Sequence, residues 1–356
     1  VKKGKTRRAR DTTNRRKVEH IRIIAADRDV DRRRFYFDDV RLRHRALPEI
    51  DRDDVDTSTT FMGKKLRAPL LISCMTGGDH DLMRRINRNL AEAAEACGVA
   101  LGVGSQRVMF THPKARASFA LRAFAPKTLL FANLGAVQLN RGFTVAHCRE
   151  AVDVLEADGL YLHLNPLQEA VQPEGDTQFG GLADQIGQVV RDLHRPVILK
   201  EVGSGISVED VQRVLPLGIR YIDVAGSGGT SWSRIEHHRK ADAHPDDLGL
   251  LFQDWGIPTP RALWELRALR QELTLIASGG VRSGMDMAKA IVLGASLCGV
   301  AAPFLEPALT STRAVVAVIE RLRRELQTAM FLLGVDRVER LWGNDALLLD
   351  PVREAF

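Results

Sequence analysis

Residues 196–224 read PVILKEVGSGISVEDVQRVLPLGIRYIDV. Val197–Glu201 is a short apolar, β-branched run that ends on charge. Val208–Leu215 carries apolar residues at helical spacing, and Tyr221–Val224 is a second short run. Strand, polar turn, helix and strand in about 30 residues make one unit of a parallel sheet with crossover helices. Working outward, the same run recurs at Pro69–Met75, Val99–Val103, Leu129–Asn133, Leu160–Asn165, Leu275–Ser278 and Cys298–Ala301, for eight in all. Leu82, Ile86, Leu90, Ala93 and Cys97 form one helical stripe, and Ala151–Leu155 and Met287–Leu293 are shorter ones. Val315, Ile319, Leu322, Leu326, Met330 and Leu333 mark a long last helix. Eight β/α units in one continuous domain predict an α/β fold of the (β/α)8 TIM-barrel class rather than a doubly wound sheet.

Three segments fall outside the repeat. Residues 14–26 read as an N-terminal helix, 34–62 as a β insertion over the barrel's bottom or side, and 226–260, after the sixth strand, as a long active-site loop rich in Gly, His and Asp. The chain thus divides into a basic flexible arm, 1–13, and a single barrel domain, 14–356.

Composition narrows the function. The 356 residues carry a net charge of +6, but residues 1–17 hold nine Lys/Arg and one acid. The other 339 residues have 42 bases and 44 acids, so no folded basic face for nucleic acid is expected. With 45% hydrophobic and 27% charged residues the body is that of a folded globule. No apolar run reaches the ~18 residues that span a bilayer. The basic start lacks an apolar segment, so no secretory signal is expected, although an Arg-rich transit segment stays open. Cys74, Cys97, Cys148 and Cys298 are far apart, which suits a reducing cytoplasm better than disulfides or a metal site.

In this architecture active sites form at the carboxyl ends of the strands. Those ends read Met75-Thr76-Gly77-Gly78, Gly104-Ser105-Gln106-Arg107, Asn133-Leu134-Gly135, His163-Leu164-Asn165 with Gln168-Glu169, Lys200-Glu201-Val202-Gly203, Gly226–Ser231 and Ser278–Gly284. Ser278-Gly279-Gly280 followed by a helix at Ser283 predicts free N–H groups aimed at an anion, with Arg282 adding a charged fork. A plain glycine turn is the competing reading. Lys200 needs an anionic partner: a cofactor phosphate, a flavin carbonyl, an intermediate anion, or simply Glu201 or Asp223. Schiff-base chemistry is a further alternative. Glu169 reads as a Mg²⁺ ligand or a solvated loop acid, and His163 as a site residue or a satisfied structural one. No Ser-His-Asp order, zinc motif or Walker loop is present.

Taken together, RKVEH (16–20), MTGG (75–78), GSQR (104–107), NLG (133–135), HLNPLQEAVQPEGDTQF (163–179), KEVG (200–203), DVAGSGGTSW (223–232) and SGGVRSG (278–284) resemble the flavin-dependent, type 2 isopentenyl-diphosphate isomerases from Arg16 to about residue 305. The stretch HLNPLQE…PEGD is the most specific of them. The resemblance implies reversible conversion of isopentenyl to dimethylallyl diphosphate in isoprenoid biosynthesis, with reduced FMN, Mg²⁺ and NADPH as reductant. It implies that Met75, Thr76, Gly77, Ser105, Asn133, Lys200, Thr230, Gly280, Arg282, Ala301 and Ala302 contact FMN. Arg16, Lys17, His20, Ser105, Gln106, Arg107 and Gln168 would hold the substrate, Glu169 would bind Mg²⁺, and Gln168, His163 and Asn165 would stand at the reacting alkene. A homo-oligomer, tetramer or octamer, is also implied. Ala225 departs from the family where relatives carry Ser. The competing functions are an FMN-dependent α-hydroxy-acid oxidase, whose His-Gly-Gly-Arg cluster is missing near 226–231, and a non-catalytic phosphate-binding barrel.

Overall fold

The computed structural model describes residues 19–32, 36–75, 77–240 and 246–349. All eight runs are strands: β1 Leu70–Ile72, β2 Ala100–Gly102, β3 Leu130–Gly135, β4 Gly159–His163, β5 Val197–Lys200, β6 Tyr221–Asp223, β7 Thr274–Ser278 and β8 Ala295–Val300. Each pairs in parallel with the next in the chain, and β8 closes on β1 through Cys298 opposite Leu70. The fold is the expected (β/α)8 barrel.

Helices cover the outside. Asp81–Cys97 is capped by the His80 ring and ends at Gly98, whose φ of 62° lies in the left-handed region. Its buried face centres on Met83, Ile86, Leu90, Ala94 and Cys97, while Leu82 is only partly buried. The final helix, Thr312–Leu332, starts at Ser311, whose hydroxyl accepts the Ala314 N–H, and buries Val315, Ile319, Leu322, Leu326 and Met330 as its period required. It crosses Gly284 so closely that a Cβ there would lie 2.2 Å from the Leu326 nitrogen.

Strand side chains alternate, so every second residue enters the barrel. Leu71, Phe131, Tyr161, Ile198, Ile276 and Leu297 form one inward layer. A hairpin, Thr59–Phe61 with Lys64–Leu66, plugs it from below with Phe61 and Leu66. The Phe61 ring meets Phe131 at 6.4 Å and Tyr221 at 6.0 Å. Lys64 Nζ, 2.7 Å from Asp158, ties the hairpin to the barrel. One pleat higher, the same strands present Ser73, Asn133, His163, Lys200, Asp223 and Ser278. The apolar floor and the polar mouth therefore differ by two residues per strand.

Two expected segments differ from the structure. The β insertion placed at 34–62 is confined to the 59–66 hairpin, and between 36 and 56 the described chain makes 3₁₀ turns and two isolated bridges. Rich in Asp and Arg, that stretch lacks the alternation a sheet needs. The described residues of the long loop at 226–260 carry the helices Trp232–Lys240 and Leu248–Leu251 and the start of Thr259–Leu266. Residues 19–26 are helical, whereas the arm at 1–13 lies outside the described residues. No helix among the described residues is long and apolar enough to cross a membrane.

Candidate active site

The carboxyl ends of the strands surround one open cavity, whose empty volume of ≈ 1590 Å³ includes its open mouth. His20, Met75, Ser105, Arg107, Asn133, His163, Asn165, Gln168, Glu169, Lys200, Thr230, Gly280, Arg282, Ala301 and Ala302 all line it. Two candidates do not. Gln106 is fully buried outside the cavity, its amide donating to Ala151 O at 2.8 Å and accepting from Asn133 N at 2.9 Å. Gly77 packs under Phe119, where a Cβ would lie 2.2 Å from the ring. Thr76, Arg16 and Lys17 lie outside the described residues.

The cavity floor is a buried ionic cluster. Lys200 Nζ stands 3.4 Å from Asp223 Oδ2, with the two side chains 7% and 0% exposed. Of the alternatives left open by sequence, the salt bridge is to Asp223 rather than Glu201. Ser278 Oγ donates to the other Asp223 oxygen at 2.6 Å, and Lys200 lies 5.7 Å above the Tyr161 ring. Burial pushes the Tyr161 hydroxyl's pKa well above its usual value and lifts that of the Cys74 thiol to about 11, so both stay protonated at neutral pH. The His163 ring Nδ1 meets Asn133 Oδ1 at 2.7 Å, so this histidine lines the cavity and is also held by a neighbour. Glu201 points away: its carboxylate accepts the N–H groups of Val202 and Gly203, each at 2.7 Å, and of Ser204. Burial lifts its pKa to about 7 in spite of those bonds.

The β4 loop brings the next group together. Asn165 Nδ2 donates to Gln168 Oε1 at 3.1 Å and to Glu169 Oε1 at 2.8 Å. Glu169 is 6% exposed, so it is not a solvated loop acid. Gln168 Nε2 donates to Glu236 Oε1 at 2.9 Å, and His20 Nε2 approaches the same oxygen to 3.2 Å. Burial acts to raise the Glu236 pKa, but bonding from His20 and the charge of Arg239 outweigh it and hold the carboxyl at about 2. His20 comes from the N-terminal strap, 19–32, which crosses the mouth and pairs with the β6 excursion through Arg32 N to Gly229 O (3.2 Å) and Ser231 N to Val30 O (2.8 Å). Asp27 pins it further: the Arg234 side chain, with help from His238, holds its pKa at about 2.

The helix start at Ser283 differs from the sequence expectation, since its N–H groups are already used. Asp286 accepts from Arg282 N and Ser283 N at 3.0 Å each, Ser283 Oγ accepts from Asp286 N, and Glu325 accepts from Gly284 N at 2.8 Å. The following helix, Ala302–Thr310, starts at the cavity wall on Ala301 with no capping side chain; Pro303 has no N–H there and Phe304 N donates to Ala301 O at 2.9 Å. Around it, backbones touch: a Cβ on Gly279 would lie 2.2 Å from Gly226 O, and one on Gly229 2.8 Å from Gly280 N. Arg282 borders this cradle, its guanidinium doubly bonded to Asp31 of the strap.

Several cavity or supporting residues were not singled out from sequence: Ser73, Cys74, Gln138, Trp232, Asp31 and Glu236. For Ser73 the signal existed, since it lies two residues beyond the inward Leu71. Asp31 and Glu236 meet the site only through tertiary contacts, whereas Asp176 belongs to the PEGD end of the most specific motif.

Sequence and fold comparisons place the chain among known proteins. The family of FMN-dependent dehydrogenases matches residues 9–116 and 161–348. The isopentenyl-diphosphate delta-isomerase of Paracoccus zeaxanthinifaciens is 56% identical over 94% of this chain and 96% of its own length. That of Hydrogenovibrio crunogenus is 52% identical over 94% and 97%, and that of the archaeon Methanothrix thermoacetophila 44% over 96% and 95%. Among solved structures, a flavocytochrome b2 variant superposes with a TM-score of 0.63 at 21% identity over 88% of this chain and 76% of that one, and a mandelate oxidase with 0.62 at 20% over 87% and 86%. These last likenesses are of fold. On sequence, the chain belongs to the isopentenyl-diphosphate delta-isomerases, enzymes within the FMN-dependent dehydrogenase family.

Proposed function

We propose that this enzyme interconverts isopentenyl and dimethylallyl diphosphate using reduced FMN and Mg²⁺, as a step of isoprenoid biosynthesis. One observation carries the reading. A single cavity holds an uncapped helix end with a glycine cradle on the β6–β8 side, and cations with the Gln168-Glu169 pair across the barrel after β2 and β4. That is room for a cofactor phosphate and a substrate diphosphate at once.

The residues fit the groups this requires. Lys200, buried with its charge at the cavity floor, suits the electron-rich edge of a flavin ring, and glycine lets the Gly226, Gly229, Gly279 and Gly280 backbones pack closely enough to form the wall beside it. Glu169 offers one carboxylate, as Mg²⁺ sites completed by substrate phosphate and water do. Reduced FMN, when bound, supplies a transferable proton at N5 in a reaction with no net redox change. Gln168, fixed by Asn165 and Glu236, orients the alkene, and His163 and Asn133 bound the same space. The buried Glu236 carboxylate, 2.9 Å from the Gln168 amide, places negative charge near a carbocation-like centre. Ile21, Ile24 and Trp232 exclude water from it. Arg107, with Arg16 and Lys17, neutralises the diphosphate. NADPH serves as reductant, the working form is a homo-oligomer, and the four free cysteines suit a cytoplasmic setting.

The test is an anaerobic assay in D₂O with dithionite-reduced FMN. Isomerisation with deuterium in the product, absent with oxidised FMN, is the expected outcome. Turnover of lactate or glycolate with none of isopentenyl diphosphate would instead establish the oxidase, and a protein that binds phosphate with no turnover the non-catalytic barrel.

A further inference from the structure

Asp176 does not line the cavity, yet it joins three of the loops that do. It is 6% exposed and sits on the loop after β4. Its Oδ2 accepts from Arg107 Nη1 at 2.9 Å, on the turn after β2, and from Gln138 Nε2 at 3.1 Å, on the 3₁₀ turn after β3. Arg141 Nε approaches Oδ1 to 3.2 Å. Its backbone N–H donates to Glu169 Oε2 at 2.7 Å. The preceding Gly175 makes this approach sterically feasible, because a Cβ there would lie 1.8 Å from Glu169 O. One residue therefore fixes the Arg107 guanidinium with its side chain and the Glu169 carboxylate with its main chain.

We propose that Asp176 is a positioning residue for the diphosphate end of the site, setting the Arg107 fork and the Glu169 carboxylate at one fixed separation. This rests on the reading that Arg107 meets the diphosphate and Glu169 the Mg²⁺. An arginine held through one Nη keeps its other N–H groups free, in a fixed plane, for phosphate oxygens. Asp176 also stands behind Arg107, so the opposite expectation is explicit: were the carboxylate only a competitor for the cation, removing its charge would tighten diphosphate binding.

The experiment uses the full-length, FMN-loaded enzyme and the variants Asp176→Asn, Arg107→Gln and their double. KM and kcat for isopentenyl diphosphate and inhibition by inorganic pyrophosphate are measured across Mg²⁺ concentrations. Asp176→Asn should raise KM and the pyrophosphate inhibition constant about ten-fold, with kcat within two-fold and the flavin spectrum unchanged. The double variant should be no worse than Arg107→Gln alone, because both changes disable one guanidinium. Lower KM in Asp176→Asn, or additive effects, overturns the proposal while Arg107→Gln still raises KM. No effect of Arg107→Gln on either constant overturns the underlying reading instead. Should Asp176→Asn lose its flavin, Arg107→Lys decides the same point: it keeps the charge without the fork, so a KM near that of Arg107→Gln supports positioning and an unchanged KM refutes it.

Discussion

Replacing Lys200 by Met separates its role in folding from its role toward the cofactor. Lys200 and Asp223 are 7% and 0% exposed and 3.4 Å apart, and Asp223 keeps only the Ser278 hydroxyl when the ammonium is removed. Stranding one member of such a buried pair costs about 3–5 kcal/mol. Met restores the stem's apolar burial, so the lower end, about 3 kcal/mol at pH 8, is expected. Lys200→Met/Asp223→Asn removes the stranded charge and should recover most of the loss. It should still bind reduced FMN at least about ten-fold more weakly than the unaltered enzyme, about 1.4 kcal/mol. Urea melts followed by tryptophan fluorescence and FMN titration read the two effects separately. A single variant as stable as the unaltered enzyme at pH 8, or a double variant no better than the single, would refute the ionic account of the floor. A double variant with undiminished FMN affinity would refute the cofactor role.

Gly279→Ala should abolish FMN retention on a folded protein, because φ is 92° and the added methyl meets Gly226 O at 2.2 Å; FMN titration and a melting curve check it. Phe61→Ala should cost about 3–5 kcal/mol in denaturant stability with kcat unchanged, since the 3%-exposed ring closes the barrel two layers below the chemistry. Glu201, raised by burial to about 7 from an ordinary 4.5, is neutral more readily folded than unfolded. Its contribution to stability is complete below about pH 4.5 and lost as pH rises through 7, so urea midpoints of the unaltered enzyme should fall across that window while those of Glu201→Gln stay level.

The barrel was legible because parallel strands buried on both faces must be apolar runs, and β1–β8 have few polar residues before their ends. The site was legible for the same reason inverted: polar side chains at those ends, such as Asn133, His163 and Lys200, have no structural need to be there. Position alone misled at Gln106, which ends a strand but turns outward to serve Asn133 and Ala151. The Ser283…Asp286 capping pair, visible as S-x-x-D, was the sign that this helix start was already satisfied. The hairpin floor, and the partners Asp31 and Glu236, come from segments distant in sequence from the residues they hold, as Asp176 does from Arg107, and no local period encodes such pairings.

Those partners follow one pattern. Among the described residues three Lys or Arg side chains line the cavity, and each has a carboxylate behind it that does not: Lys200 with Asp223 at 3.4 Å, Arg107 with Asp176 at 2.9 Å, and Arg282 with Asp31. Pairs of this kind are rarely the most stable filling for a buried site, since apolar residues of similar volume often do as well or better. Their value is electrostatic order. The carboxylates let each cation be desolvated during folding and hold it in one orientation, so neither cost falls on the binding step. An arriving phosphate then meets these cations directly, and Glu169 is the one carboxylate among the described residues of the lining, while the paired negative ends stay behind the cations. The pattern suits a barrel that receives two phosphorylated molecules in one cavity, because it gives each a prepared cation without leaving a concentrated positive charge when the cavity holds neither.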